Sequence, residues 1–130
     1  MRISKTFAFD AAHHLPDYPG LCSNVHGHSW QVEVVLIGKK DETTGMVVDF
    51  KWMKDVGEEI LGLFDHQDLN DFLKNPTAEN IATYLYGIWT AMVPRNIIVQ
   101  EVNVWEQPTS KVSYTHFDWE DLQRDKKFDS

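Results

Sequence analysis

The sequence predicts an α+β domain: a four-stranded antiparallel sheet with two helices packed on one face, in the order strand, strand, helix, helix, strand, strand. Three observations predict it. Apolar residues alternate with period two at both ends of the chain, they recur at helical spacing in its middle, and clusters of Pro, Gly, Asn and Asp separate these stretches.

From Ile3 to His13 the odd positions Phe7, Phe9 and Ala11 alternate with Thr6, Ala8 and Asp10, which reads as a half-buried strand. His14 to Val25 holds Pro16, Asp17, Pro19, Gly20, Ser23 and Asn24, and reads as a loop. A second strand follows, with Trp30, Val32, Val34 and Leu36 against Gln31, Glu33 and Val35, and it ends at Gly38. After the turn at Asp41–Gly45, Met46-Val47-Val48 reads as a short extended stretch. Asp49 is placed to cap a helix whose buried stripe is Met53, Val56, Ile60 and Leu63, stopping near Phe64. Asp65 to Asn70 is a polar connector. Thr77 caps a second helix, with Glu79 in its first turn. One face of that helix carries Ile81, Tyr84, Leu85, Ile88, Trp89 and Met92, and Pro94 marks its end. Strands return at Ile97–Glu106 and Lys111–Phe117. The reading is a single domain over residues 1–117 and a polar, peripheral tail over 118–130.

With 130 residues, 42% of them hydrophobic, the chain is long enough for one self-sufficient core. A net charge of -8 argues against nucleic acid and anionic membrane as partners. No apolar run is long enough to span a bilayer, and Met1 to Lys5 lacks signal-peptide character. Cys22 is the single cysteine, so no internal disulfide forms, and the expectation is a reducing, cytoplasmic setting.

His26-Gly27-His28 opens the second strand, so the period of two points both imidazoles to the side of Trp30 and Val32. His13 ends the first strand with the parity of Phe7, Phe9 and Ala11. Antiparallel pairing of the two strands sets His13 beside the other two. Three converging imidazoles leave a tetrahedral ion with an open fourth position, the arrangement of a catalytic rather than a structural site. Imidazole suits Zn2+, although copper, nickel and iron are chemically possible. Cys22 precedes His26 by four residues. It is either a reactive thiolate favoured by the cation or a fourth ligand that closes the site, and spacing leaves both open. His14 has the opposite parity and is expected to face away. His116 has no partner in the pattern and reads as a sheet-surface residue. Glu106 shares the parity of Val102 and Val104, which turns its carboxylate to the buried side at a strand end. Two rival readings of the histidines are another zinc enzyme, such as a hydratase or hydrolase, and a non-catalytic module with a closed site.

Five motifs occur in order: Phe9-Asp10-Ala11-Ala12-His13, Cys22-Ser23-Asn24-Val25-His26-Gly27-His28, Asp65-His66-Gln67-Asp68-Leu69-Asn70, Pro76-Thr77-Ala78-Glu79-Asn80 and Trp105-Glu106. The set resembles the 6-pyruvoyl-tetrahydropterin synthase family from about Lys5 to Phe117. It is most similar to the bacterial branch, the 6-carboxy-5,6,7,8-tetrahydropterin synthases of the queuosine pathway, whose Cys-x-x-x-His-Gly-His spacing it shares.

The resemblance implies a tunnelling fold (T-fold) in which trimers close into a barrel and stack as a homohexamer, with active sites at subunit interfaces. It implies zinc on His13, His26 and His28, and Cys22 moving a proton. It implies Asp65 and His66 as a dyad reaching in from a neighbouring subunit, and Glu106 anchoring the pterin. The implied reaction takes 7,8-dihydroneopterin triphosphate to 6-carboxy-5,6,7,8-tetrahydropterin with release of acetaldehyde and triphosphate. The alternative within the family is the pyruvoyl product.

Overall fold

A computed structural model describes residues 1–129, with side chains described through Lys126. The elements are β1 (Arg2–His13), β2 (His26–Ile37), α1 (Phe50–Gly62), β3 (Gln67–Asp68), α2 (Ala78–Met92), β4 (Ile98–Gln107), β5 (Ser110–Thr115) and α3 (His116–Asp129). The sheet order is β3-β1-β2-β4-β5, with β1, β2, β4 and β5 antiparallel and β3 parallel to β1.

The fold class is as the sequence predicts, with two additions. The polar connector after α1 contributes a fifth, two-residue strand, because Gln67 and Asp68 pair with Ala11 and Ala12. The tail does not remain irregular after Thr115: it forms α3, anchored by Asp118, whose carboxylate accepts from the Thr115 backbone N–H at 2.9 Å. Phe117 therefore lies in a helix and not at the end of a strand, and Trp119 packs on the aromatic core. Met46-Val47-Val48 forms no strand.

Alternation of burial along β1 and β2 puts Phe7, Phe9, Ala11 and His13 on one face with Trp30, Val32, Val34 and Leu36. Both α1 and α2 cover that face. Asp49 caps α1 by accepting from the Lys51 N–H, and Thr77 caps α2 by accepting from the Asn80 N–H. On α1 the buried stripe is Met53, Val56, Ile60 and Leu61; Leu63, expected inside, is exposed because the helix ends at Gly62. On α2, Tyr84 and Met92 sit at the margin of the buried face and remain partly exposed. Gly57 lets α1 lie directly on Phe7, since a Cβ there would come within 2.2 Å of the ring. The other face of the sheet is not covered by a helix and presents Ser4, Thr6, Asp10, Ser29 and Gln31. Among the described residues, no helix is long and apolar enough to cross a membrane.

Candidate active site

The β1–β2 register sets His13 opposite His26 and Ala11 opposite His28. Directly opposed side chains in such a pair lie within reach of one another. The three imidazoles pack at centroid separations of 4.6 Å (His13–His26), 4.8 Å (His26–His28) and 5.1 Å (His13–His28). Trp30 closes the inner side of the cluster, with its ring against both His13 and His28. One ligand atom from each histidine falls within 4.8 Å of the others.

The tautomers follow from the hydrogen bonds. His13 Nδ1 lies 2.8 Å from the Pro76 carbonyl and His26 Nδ1 lies 2.8 Å from the Asn24 carbonyl. A carbonyl only accepts, so each Nδ1 carries the proton and each neutral ring turns an Nε2 lone pair inward. The Nε2 atoms of His13, His26 and His28 are all buried without a hydrogen-bond donor. Burial lowers the pKa of His13 below the ordinary histidine value, aided by His26 and His28 and opposed by the Pro76 carbonyl and Glu106. Burial likewise lowers that of His28, with Glu106 opposing. Burial thus favours neutral His13 and His28, and the unpartnered Nε2 atoms of His13 and His26, with His28 Nε2 converging on them, form a donor set that could hold a divalent cation. These residues fit zinc with a position left open.

Glu106 comes from the end of β4 as expected. The register shifts between Trp105 and Gln107, and Glu106 Oε1 lies 3.2 Å from His28 Nε2. Cys22 sits half-buried on a 3-10 turn, Leu21–Ser23, and does not join the converging ligand atoms. Among the described residues, the closed four-ligand arrangement is therefore not formed.

Asp65 and His66 lie on the opposite face. Asp65 Oδ1 accepts from the Asp10 backbone N–H at 2.9 Å, and the His66 N–H donates to the Asp10 carbonyl at 2.6 Å. These two bonds hold His66 in the left-handed region, φ 59°, which is uncommon for a residue other than glycine. His66 Nδ1 is 3.1 Å from Asp65 Oδ2, leaving the other ring nitrogen outward on a side chain 77% exposed. The Asp10 N–H bond, with help from His66, holds the Asp65 carboxyl below its ordinary value. Asp10 itself accepts from Ser29 Oγ at 2.6 Å on the open face. Its side chain and those of Asp65 and His66 form a second compact group.

A family model described as 6-pyruvoyl tetrahydropterin synthase matches residues 2–116. The chain belongs to the 6-pyruvoyl tetrahydropterin synthase family. A protein of Archaeoglobus fulgidus, provisionally assigned as a 6-carboxy-5,6,7,8-tetrahydropterin synthase, is 38% identical over 82% of this chain and 88% of its own length. The 6-carboxy-5,6,7,8-tetrahydropterin synthase of Synechocystis sp. is 37% identical, covering 86% of this chain and 91% of its own. The solved structure of Caenorhabditis elegans 6-pyruvoyl tetrahydropterin synthase superposes with a TM-score of 0.79 at 26% identity, over 88% of this chain and 94% of that one.

The match to the synthase family stops at residue 116, so α3 lies almost wholly beyond it. Sequence reasoning missed several contributors. Asp10 reads as an ordinary outward strand residue and Ser29 carries no sequence signal of its own; only the pairing of β1 with the connector draws them to the dyad. The Pro76 carbonyl is a backbone group with no side-chain signature. His14 is half-buried against Asn70, and His116 has partners, Glu120 at 3.1 Å and the Tyr86 hydroxyl at 3.2 Å.

Proposed function

We propose that the protein converts 7,8-dihydroneopterin triphosphate and water to 6-carboxy-5,6,7,8-tetrahydropterin, acetaldehyde and triphosphate, in the queuosine (7-deazaguanine) pathway. The observation that carries this reading is the trio of orphaned, buried Nε2 atoms on His13, His26 and His28, close to a chain segment bearing Cys22 and beside Glu106. The names of the Archaeoglobus and Synechocystis relatives support the carboxy over the pyruvoyl product.

In this reading His13, His26 and His28 hold zinc, which supplies Lewis acidity to the substrate's side-chain hydroxyls when bound. Pro76 and Asn24 keep two of the rings in the ligating tautomer. Glu106 leaves His28 to accept the adjacent N–H donors of the aminopyrimidine edge, fixing the pterin's orientation. Cys22 takes a carbon-bound proton from the side chain. His66, oriented by Asp65, supplies or receives the second proton at its outward nitrogen.

The dyad serves the metal site of a neighbouring copy, because Asp65 and His66 gather with Asp10 while the three imidazoles converge separately against Trp30. β1 pairs with β3 only at Ala11 and Ala12, so most of its outer edge is unpaired, and β5 is the opposite edge. Antiparallel pairing of β5 on the next copy's β1 sets Ser110, with Glu106 just behind it, at the Asp10 end of that strand. Three copies so joined close a barrel and two barrels stack, giving a homohexamer with interfacial sites. The protein works in the cytoplasm.

The deciding experiment is mass spectrometry of the products formed by zinc-loaded protein from 7,8-dihydroneopterin triphosphate. The expected result is the 6-carboxy pterin with acetaldehyde. A 6-pyruvoyl product would overturn the carboxy assignment within the family, and unchanged substrate on an intact, zinc-loaded oligomer would overturn the chemistry.

A further inference from the structure

Between the metal strand and the dyad segment lies a side chain that neither group uses. Asn70 follows the short β3 in a 3-10 turn, Leu69–Asp71, and is half-buried. Its own N–H donates to Asp68 Oδ1 at 3.0 Å, while Asp68 pairs in the sheet with Ala12. Its carboxamide engages both backbone groups of His14. Oδ1 accepts the His14 N–H at 2.9 Å, and Nδ2 donates to the His14 carbonyl at 3.0 Å. A residue in a strand presents its N–H and C=O to the same side, so the amide replaces the neighbouring strand at the point where β3 has ended. The amide orientation is fixed by this pair, because a flipped amide would set donor against donor and acceptor against acceptor.

The next residue carries the consequence. The Leu15 N–H donates to the Cys22 carbonyl at 2.8 Å, closing the loop. Within that loop Ser23 N–H returns to the Gly20 carbonyl at 3.1 Å and Asn24 N–H to the Leu21 carbonyl at 3.0 Å. Asn24 then holds the His26 ring through its own carbonyl. Hydrogen bonds alternating with short stretches of chain thus lead from Asn70 through His14 and Leu15 to Cys22, and onward to a metal histidine. His13, immediately before His14, has its ring fixed by Pro76, but its backbone exit from the sheet depends on Asn70.

The geometry points to Asn70 as the positioning residue that sets where the chain leaves β1 and so fixes the Cys22 loop against the metal site. This rests on the reading of Cys22 as the proton-moving group. The carboxamide is required for both its acceptor and its donor. Asn70→Ala removes both bonds; Asn70→Asp keeps the acceptor but turns an oxygen against the His14 carbonyl.

The test measures zinc content, kcat, KM and the rate of iodoacetamide labelling in zinc-loaded Asn70→Ala, with Asn70→Asp as the second variant should the first not fold. Cys22 is the single cysteine, so labelling reports on that loop alone. The expected result is full zinc, KM unchanged, kcat lower by about 10- to 100-fold, and labelling faster by about fivefold or more as the loop loosens. Wild-type kcat and labelling in either folded variant would overturn the inference. So would a fall in turnover that merely tracks lost folded or zinc-loaded protein. Cys22→Ala measured alongside separates the two readings: retained turnover there refutes Cys22 as the base. Abolished turnover there, with Asn70 variants at wild-type rate and labelling, refutes only the role of Asn70.

Discussion

The two faces of the sheet at the same end of β1 carry groups of opposite design. On the covered face, His13, His26 and His28 bring three buried Nε2 atoms together, those of His13 and His26 as acceptors with no donor and that of His28 beside the Glu106 carboxylate. On the open face, Asp10, Asp65, His66 and Ser29 satisfy one another, donor to acceptor. The first group is incomplete as it stands, and a cation could complete it. The second is already complete and holds a proton in a defined place, with one imidazole nitrogen facing solvent. A single strand, alternating residue by residue from Asp10 to His13, supplies both.

Removing a member of the incomplete group has the largest effect. His28→Ala is expected to drop bound zinc from one per chain to near zero, with turnover lower by at least about a thousandfold, since several kcal/mol of charge stabilisation go with the ion. Zinc analysis and a product assay check it. Full zinc in that variant would show that the three lone pairs do not act as one site.

The two groups proposed to move protons, Cys22 and the His66 of the complete group, are expected to respond differently. Cys22→Ala and His66→Ala should each keep full zinc and lose about 10²- to 10⁴-fold in turnover, the range for a proton-transfer group. The partition of roles between copies sharpens the contrast. His28→Ala retains an intact dyad, and His66→Ala retains an intact metal set. Co-refolded at equal amounts, they should recover about a quarter of the wild-type sites if the dyad acts on a neighbour's metal. No recovery in verified mixed oligomers would place both functions in one chain.

How far the sequence reveals these two faces depends on where the information sits. His13, His26 and His28 were legible because strand parity and antiparallel pairing are local rules, and Trp30 carries the same parity inward. The dyad's residues were legible only through family resemblance. Their geometry depends on a two-residue strand too short to leave a periodic pattern, and on a left-handed His66 that no composition signals. Asp10 looked like any outward residue because its value lies in its backbone N–H and C=O. The helical form of the tail carries little sequence signal for a related reason. Residues 118–129 are polar with weak helical patterning, and what makes them a helix is contact: Trp119 on Tyr86, and His116 between Tyr86 and Glu120.

That last corner offers the smallest effect and a control far from either face. The Tyr86 hydroxyl donates to the Val99 carbonyl in the core, and burial pushes its pKa up to about 12 from the ordinary 10.0. The fold therefore favours the neutral phenol, while the unfolded chain ionises it near 10. Stability is unaffected below pH 10 and falls as pH rises from there towards 12, by on the order of 2 kcal/mol. Tyr114, whose ring lies tilted against Tyr86 and whose pKa is also raised by burial, adds to the same fall, while His116 and Glu120 face the hydroxyl from α3. Tyr86→Phe loses one buried hydrogen bond and should cost about 1–3 kcal/mol at pH 7. Between pH 10 and 12 the variant should lose less further stability than the wild type, so the gap between them narrows. Denaturant unfolding at pH 7, 10 and 11.5 reads this directly, and zinc content and turnover at pH 7 should stay at wild-type level. A gap that widens with pH would mean that the phenol ionises more readily inside the fold than outside it, which its burial against Val99 and Tyr114 does not allow.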